Sequence, residues 1–505
     1  MGILALHLRE AKSGRTAPPK CGLGPSLRIV QNEAAYSTAS TWWIPCLFRT
    51  EALLSTTITS YDGGIVTTPQ QYVHPKNVQE LQAILRDRQT YPSPVRAMGS
   101  NHSLTPCAAS NGTIVSMDGF TRIVKIDEAK KTLTAQAGVQ LVDAAAALRK
   151  KGLQFMLNIE IGNLTLGSAA CCQTKDALDG VELGQVNSYV TGIKWVSPSG
   201  DLMEASETKN PELLPYIRAS YGLAGIVYEM TFKLKPIEII SFNYDVRDVD
   251  DLKDSIIKKA ISENQSIVMW TVGDHIVIQS RNKAKKLKHE FLGDAREFGW
   301  NFLAAYTGRG IRDRLSETGI GKIKENLWSG VELAFYRVLS AGGGFTLEAP
   351  DKTINYSKTP QSARYAFTFW AFPRADYVTN LKDYVKWAAD YYKQTKFRCN
   401  MPLGSYFIRK DRSSLLSYTW DGDIISLDPI HAPSEREPDA WPTFLRAFNE
   451  WAHQRGGIPL LNQSPFVKKE HVVAAYGNRW KTLGEWLQTI DPDRRMVNEF
   501  FAELL

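Results

Sequence analysis

Apolar residues recur along the first half of the chain with alternating helical and strand spacing. From Val78 to Leu85 they follow at intervals of 3, 3 and 1, which predicts an amphipathic helix with Asn77 as its N-cap. The run Val-Arg-Ala-Met after Pro94 predicts a short buried strand. Residues 227–234 alternate apolar and polar side chains, as a half-buried strand does, and Pro236 follows them.

Further elements fill the interval between these. Residues 112–117 and 133–138 are strand-like, and the alanine-rich run Val142–Leu148 predicts a helix. Residues 190–196 and 200–205 are predicted as a hairpin that turns at Ser197–Gly200. The region is therefore a mixture of strands and helices.

Three loops rich in small residues interrupt this pattern. They are Gly99-Ser-Asn-His-Ser, the glycine-punctuated stretch 162–174, and Tyr221-Gly-Leu-Ala-Gly-Ile-Val. Small residues after a strand let backbone N–H groups converge on an anion such as a diphosphate. Taken one at a time, such loops are more often simple turns.

Near residue 240 the composition shifts and aromatic residues become dense. Strand-like segments at 365–373 and 406–409 flank a predicted helix from Val378 to Tyr392. A chain of 505 residues is long enough for two or more domains. We therefore expect a two-domain α+β protein.

Composition narrows the class of protein. With 43% apolar and 22% charged residues, the chain has the composition of an ordinary globular protein, and no run is long enough to cross a bilayer. Six scattered cysteines form no disulfide framework or C-x-x-C pair, which favours a reducing compartment. No recognition motif for nucleic acid accompanies the net charge of +7, and no metal site is predicted.

Positive charge is concentrated in residues 281–324, which hold eleven Lys or Arg against five Asp or Glu. The segment interleaves these charges with bulky apolar residues: Phe291, Trp300, Phe302, Leu303 and Tyr306. Such a surface either remains solvated or rests on an anionic membrane as a peripheral contact.

The first residues are basic and lack the apolar core of a secretory signal, so we expect an intracellular protein, cytoplasmic or mitochondrial and attached to a membrane only peripherally. This N-terminal stretch is compatible with a mitochondrial address, a disordered extension or an over-long gene start.

The order of the loops is more informative than any one of them. Gly-Ser-x-His-Ser is followed by Gly-Asn-Leu-Thr-Leu-Gly-Ser, a Val-x-x-Ile-x-x-Val-x-Pro-x-Gly strand pair, Asn-Pro-Glu-Leu and Gly-Leu-Ala-Gly-Ile-Val. From about residue 66 to 238 this series resembles the FAD-binding domain of the vanillyl-alcohol oxidase / p-cresol methylhydroxylase (PCMH-type) flavoproteins, and most of all their sugar-lactone, alditol and type II sterol oxidase branch. The resemblance implies an N-terminal extension (1–60), an FAD-binding domain (61–240), a cap domain (241–475) and a segment returning to the FAD domain (476–505).

The resemblance also assigns residues to the cofactor. Those expected to contact FAD are Gly99, Ser100, Asn101, His102, Ser103, Gly167, Ser168, Cys172, Thr174, Gly225 and Val227. His102 matches the histidine that several members bond covalently to the flavin, and the alternative is that it only hydrogen-bonds within a turn. No cysteine lies near Ile159–Gly162, so a second covalent link is not expected.

The chain departs from the family at three places. Lys175 and Asp176 replace the His-Gly of a Thr-Gly-Thr-His-Gly stretch, and no His-Trp-Gly-Lys follows Gly456-Gly-Ile-Pro459. Of the Glu-x-Arg pair only Arg409 is present, either as the catalytic cation or as part of a rim salt bridge. Losing these polar groups favours a more apolar pocket than a sugar site.

Together these features predict an FAD-dependent oxidoreductase that oxidises a lipophilic or aromatic alcohol by hydride transfer to flavin N5, with O2 as acceptor. The small-molecule substrate and the electron acceptor would be its partners. One alternative is a lactone or sugar dehydrogenase that uses a quinone or another carrier. Another is a non-catalytic binding protein that retains the flavin fold.

Overall fold

The computed structural model describes residues 56–157, 159, 161–175, 183–298, 330, 333–348, 365–433 and 437–505. Residues 54–505 form one compact unit. Helices among its described residues, separated by strands of several sheets, include Val78–Arg86, Leu141–Arg149, Leu166–Cys171, Leu214–Ile217, Asp254–Glu263, Glu290–Phe298, Tyr377–Thr395, Ala440–His453, Lys469–Tyr476, Asn478–Ile490 and Glu499–Leu504. The predicted α+β class is confirmed.

Two small sheets and one large sheet build the first half. A parallel sheet has the order Gln71–Val73, Thr113–Ser116, Val95–Met98. A two-stranded sheet pairs Ile58–Thr59 with Val66–Thr67, and its first strand lies inside the predicted 1–60 extension. The large antiparallel sheet has the order Leu202–Ser206, Val190–Val196, Ile226–Pro236, Thr132–Gln136, Ile123–Asp127, and Leu153–Phe155 pairs with the end of Ile226–Pro236.

Local sequence explains several of these elements. The Asn77 side chain accepts a hydrogen bond from the Glu80 N–H and caps the first helix, as predicted. In the long strand Ile226–Pro236, Met230, Phe232 and Leu234 are buried and alternate with more exposed residues. Side chains of this strand and of the helix belong to one hydrophobic core.

The predicted loop 162–174 differs from expectation, because its centre is the short helix Leu166–Cys171. The Thr165 side chain accepts a hydrogen bond from the Ser168 N–H and starts the helix, and Ala169 and Ala170 favour its continuation. The glycines of this stretch therefore mark a loop that enters a helix.

An eight-stranded antiparallel sheet dominates the second half. Its order is Phe345–Glu348, Ile239–Asp248, His275–Ala284, Ser266–Val272, Leu403–Ile408, Ile424–Leu427, Trp370–Pro373, Ile458–Pro459. The predicted strand 365–373 is split, because Ala366–Phe367 leaves this sheet and pairs with Ile430–His431. Helices Tyr377–Thr395 and Ala440–His453 share a second hydrophobic core with this sheet.

Residues 476–505 lie against the first half of the chain. The Val95 N–H donates to the Arg495 carbonyl at 2.8 Å, and Asn498 Nδ2 donates to the Pro106 and Ala109 carbonyls at 2.8 Å. The end of the described chain thus contacts the strand and loop that precede and follow Gly99. The domain boundaries themselves stay a prediction.

Candidate functional site

The three predicted loops meet at one cavity of about 670 Å³. Nine of the residues predicted to contact FAD line this cavity: Gly99, Asn101, His102, Ser103, Gly167, Ser168, Cys172, Gly225 and Val227. The other two, Ser100 and Thr174, line an adjoining cavity of about 1090 Å³. His102, Ser103, Ser168 and Cys172 belong to both cavities, so the two form a continuous cleft.

Glycine is required where the loops approach each other. A Cβ at Gly99 would lie 2.2 Å from Thr165 Oγ1, and a Cβ at Gly225 would lie 2.1 Å from the Val196 carbonyl oxygen. Gly225 also has a φ of +126°, which side-chain-bearing residues rarely adopt. The smaller cavity is therefore a cradle of closely spaced backbone, and this fits the diphosphate of a bound dinucleotide.

Arg96 fixes the relative positions of these loops from beneath. Its guanidinium donates to the carbonyls of Cys107, Met496 and Tyr221, at 2.7 Å for Met496. Burial lowers the pKa of Arg96 to about 10, so the group stays charged at neutral pH. The sequence predicts that Arg96 lies in a buried strand, but no motif marks its hydrogen bonds to the carbonyls around these loops.

A buried polar network joins the second loop to the second half of the chain. The Tyr221 hydroxyl donates to Gln173 Oε1 at 2.5 Å, and Gln173 Nε2 lies 3.1 Å from the Tyr476 hydroxyl. Asn462 Nδ2 donates to the Gln173 carbonyl at 3.2 Å. Gln173 thus connects residues from three distant parts of the sequence.

The larger cavity is walled mostly by apolar and aromatic side chains. These include Ile159, Ile161, Leu164, Trp270, Tyr365, Phe367, Tyr406 and Ile430. Its polar lining residues are Ser100, His102, Ser103, Ser168, Gln173, Thr174, Lys175, Asn462 and Gln463. A few polar groups on an apolar wall are typical of small-molecule sites.

Aromatic residues of the second half of the chain differ in whether they line the cavity. Phe367 and Tyr406 line the cavity. The core holds Phe369, Trp370, Phe372, Phe407 and Tyr418, all buried. Trp420 lies instead under the guanidinium groups of Arg412 and Arg479.

His102 stands where the two cavities join. Its ring packs against Tyr61, with ring centroids 4.9 Å apart, and the Tyr61 hydroxyl donates to the Tyr365 carbonyl at 2.6 Å. Tyr61 thereby links His102 to the wall of the larger cavity. The sequence gave Tyr61 no role, since no motif contains it.

The adjacent cysteines are free thiols. Burial raises the pKa of Cys171 to about 12 and holds the pKa of Cys172 well above its usual range. Both side chains therefore remain protonated at neutral pH and act as small packing groups.

Lys175, noted from the sequence only as a departure, forms a buried ion pair. Its ammonium donates to Asp428, whose side chain is fully buried, while the Lys175 side chain is 13% exposed. The rings of Phe367, Phe369 and Tyr406 surround the ammonium, with centroids at 4.8, 5.1 and 4.8 Å. Nothing in the local sequence marks Asp428, which lies 253 residues away.

Arg409, the predicted catalytic cation, lies apart from the two cavities. The strand Leu403–Ile408 is buried throughout and ends one residue earlier, and Arg409 is exposed. Arg409 lines neither cavity, whereas Tyr406 of the same strand does. The structure therefore does not bring the predicted catalytic cation to the site.

The predicted membrane-contact segment is only partly described. Residues 299–324, with Trp300, Phe302, Leu303 and Tyr306, lie outside the described residues. In the described part, Leu287 and Phe291 are 43% and 65% exposed. Among described residues, no helix is long and apolar enough to cross a membrane.

Comparison with known families supports the cofactor. Residues 69–206 match the model of an FAD binding domain. This range contains two of the three loops and ends in the hairpin strand Leu202–Ser206. The expectation of FAD is confirmed.

Curated relatives carry lactone-oxidising names. The chain is 26% identical to L-gulonolactone oxidase of Bos taurus over 38% of this chain and 44% of that protein. It is 24% identical to the mitochondrial L-galactono-1,4-lactone dehydrogenase of Arabidopsis thaliana over 46% of this chain and 38% of that protein. These matches span less than half of those relatives' length, whereas L-gulono-1,4-lactone dehydrogenase of Mycobacterium tuberculosis is 19% identical over 88% of this chain and 98% of its own.

A solved structure shares the whole fold. Cholesterol oxidase from B. sterolicum superposes with a TM-score of 0.69 over 92% of this chain and 100% of its own, at 16% identity. The two-domain fold with an FAD-binding half and a cap half is thereby confirmed. The matched FAD binding domain and these similar proteins confirm the resemblance of the chain to the PCMH-type FAD-binding flavoproteins.

Proposed function

We propose that the chain is an FAD-dependent oxidoreductase that oxidises the CH–OH group of a lipophilic or aromatic alcohol, with O2 as the electron acceptor. The observation that carries this proposal is the continuous cleft, in which all eleven residues predicted to contact FAD adjoin an aromatic cavity. Bound FAD would supply the oxidation by accepting a hydride from the substrate carbon.

The chain would orient the substrate and exclude water. Trp270, Phe367 and Tyr406 form an apolar wall, and the amides of Asn462 and Gln463 offer hydrogen bonds to a substrate oxygen. Such an apolar wall suits a substrate with a sizeable apolar part. A polyhydroxylated lactone would need more hydrogen-bond partners.

A lactone or sugar dehydrogenase that uses a quinone or another carrier is the second candidate. It is favoured by the nearly full-length match to a protein named L-gulono-1,4-lactone dehydrogenase. The two candidates differ in substrate and in acceptor, and the same purified protein tests both.

The test mixes FAD-loaded protein anaerobically with a panel of aryl alcohols, long-chain alcohols, sterols and sugar lactones. Loss of flavin absorbance near ~450 nm identifies the substrate, and reoxidation is then timed with O2 and with a quinone. We expect reduction by an apolar alcohol and rapid reoxidation by O2. Reduction by lactones alone, or reoxidation by quinone alone, would support the dehydrogenase, and colourless protein that takes up no FAD would refute both.

We also propose that His102 bonds FAD covalently. Its position at the junction of the cavities supports this. In acid-precipitated protein, flavin fluorescence should stay with the pellet and be absent from the His102→Ala pellet. Fluorescence that persists in the mutant pellet contradicts the bond, and fluorescence only in the wild-type supernatant indicates a noncovalent cofactor.

Peripheral membrane contact through residues 281–324 remains a proposal, as does a location in the cytoplasm or at mitochondria. The exposed Leu287 and Phe291 beside Lys285, Lys286 and Lys288 support it. At low salt, wild type should sediment with phosphatidylserine vesicles more than Leu287→Ser/Phe291→Ser does. Equal sedimentation of the two would favour a merely solvated segment.

A further inference from the structure

The two members of the Lys175–Asp428 ion pair differ in their access to the larger cavity. Lys175 forms part of the cavity wall, and Asp428 lies behind it without any exposed side-chain surface. The ammonium touches Asp428 on one side and aromatic rings on others. Any proton that Lys175 exchanges with a ligand can therefore be passed to a carboxylate that no ligand reaches.

Backbone pairing holds the carboxylate in position. The Gly404 N–H donates to the Asp428 carbonyl at 3.1 Å, and the Asp428 N–H donates to the Gly404 carbonyl at 2.9 Å. Tyr406, two residues along the same strand, contacts the ammonium through its ring. One strand thus positions both members of the pair.

The charge state of Asp428 responds to pH close to neutrality. Burial raises the pKa of Asp428 to about 6, against the opposing effects of Lys175 and the Ser426 hydroxyl. Tyr377, the first residue of the packed helix Tyr377–Thr395, also senses the Asp428 charge. Asp428 is therefore ionised at neutral pH but can accept a proton at a small free-energy cost.

Oxidation of an alcohol needs such an acceptor. The carbon gives up a hydride, and the hydroxyl oxygen must release its proton as the C=O bond forms. Among described residues that line the larger cavity, those able to exchange a proton are His102, Cys172, Lys175 and the tyrosines at 61, 365 and 406. The raised pKa of Cys172 keeps it protonated, and the proposed bond to FAD would occupy His102.

We propose that Lys175 and Asp428 form the proton relay of this site, a role that rests on the proposed function. The substrate O–H bond breaks, its electron pair forms the C=O bond, and its proton goes to Lys175 Nζ. Because an ammonium has no lone pair to receive that proton, Lys175 Nζ first gives one of its own protons to Asp428 Oδ2 and is a neutral amine when the substrate proton arrives. Lys175 ends as it began, Asp428 becomes a neutral acid, and the hydride leaves to the oxidant of the proposed function.

The test compares full-length, FAD-loaded variants by the anaerobic rate of reduction at several pH values. Lys175→Arg keeps the cation and the ion pair, but a guanidinium does not release its proton, so the variant should fold and bind FAD. Lys410→Met removes an exposed ammonium just beyond the same strand and serves as the matched control. We expect Lys175→Arg and Asp428→Asn to reduce the rate about 10²-fold or more and to flatten its rise with pH, while Lys410→Met resembles wild type.

Two further measurements separate proton transfer from folding. Ethylamine should restore the rate of Lys175→Ala at least ~10-fold and leave wild type unchanged, because it supplies the missing amine. Infrared difference spectra across a pH titration should show the C=O stretch of a protonated carboxyl that disappears in Asp428→Asn. This second readout needs no turnover.

The outcomes are distinguishable. If wild type binds FAD but no alcohol reduces that FAD, the proposed function is refuted, and the relay is refuted with it. The relay alone is overturned if alcohol reduces wild type and if the reduction rates of Asp428→Asn and Lys175→Arg stay within about threefold of the Lys410→Met rate at every pH. A rate loss in Lys175→Ala that ethylamine does not relieve, with an unchanged pH profile in Lys175→Arg, also overturns it.

Discussion

Arg96 Nη1 donates a hydrogen bond to the Met496 carbonyl at 2.7 Å, so residues 400 positions apart in the sequence are joined directly beneath the flavin cleft. The same guanidinium holds the carbonyls of Cys107 and Tyr221. A single buried side chain therefore ties two of the cofactor loops to the end of the described chain.

Replacing Arg96 with Met should cost about 3 kcal/mol or more of unfolding free energy, because three buried carbonyls lose a charged donor. FAD affinity should fall as well, since the loops lose their common anchor. Arg88→Met is the matched control, because Arg88 is half exposed in its pair with Asp493 and should cost under about 1 kcal/mol. Urea unfolding and FAD titration check this, and equal losses in the two variants would contradict it.

Gly225→Ala should weaken FAD binding at least about tenfold. The added Cβ would meet the Val196 carbonyl at 2.1 Å, and the backbone has a φ of +126°. Gly422→Ala is the control, because no atom lies within 4 Å of its added Cβ. The quenching of FAD fluorescence on titration gives both affinities, and an unchanged affinity in Gly225→Ala would show that this loop does not hold the cofactor.

Stability should depend on pH through Asp428. Its folded-state pKa of about 6 lies above the ordinary value of 3.8, so its contribution to stability is fully present at low pH and declines as pH rises through that interval. Lys175→Met removes the compensating cation and should raise this pKa further. The variant should therefore lose about 3–5 kcal/mol at pH 8 and much less at pH 5.

The double variant Lys175→Met/Asp428→Leu supplies the control for that loss. With both charges gone, no uncompensated ion is left inside the protein, and most of the stability should return. Urea unfolding at pH 5 and pH 8 measures all three proteins. A Lys175→Met loss that is equal at both pH values would contradict the assignment to Asp428.

Arg409→Met should leave FAD binding and the rate of flavin reduction within about threefold of wild type. Arg409 is exposed and lines neither cavity, so its removal changes no contact inside the cleft. Anaerobic reduction of wild type and variant by the same alcohol measures this. A loss of about 10²-fold would return Arg409 to the site as a catalytic group.

The cofactor loops could be predicted from the sequence because each is a continuous run with its own chemistry. Gly99 to Ser103 show their small and polar character without reference to the rest of the chain, and hydrophobic spacing located the flanking strands. Helix Leu166–Cys171 was not predicted, because the glycines around it are typical of a loop. Its first turn depends on the cap that the Thr165 side chain supplies.

The residues that complete the site could not be predicted in this way. Lys175 meets Asp428, and Gln173 meets Tyr476, only after two distant segments fold against each other. Such pairs leave no periodic trace in the sequence. Arg409 was misplaced for a related reason: matching its motif did not reveal that the strand ends at Ile408.

The contacts of residues 476–505 affect the stage of synthesis at which the protein can bind FAD. Val95 pairs with Arg495, and Arg96 with Met496, so part of the hydrogen bonding that holds Arg96 at the smaller cavity is missing while those late residues are still inside the ribosome. A nascent chain that has exposed the whole matched domain, 69–206, therefore still lacks part of its cradle. Flavin capture is thus a step that follows translation of these residues.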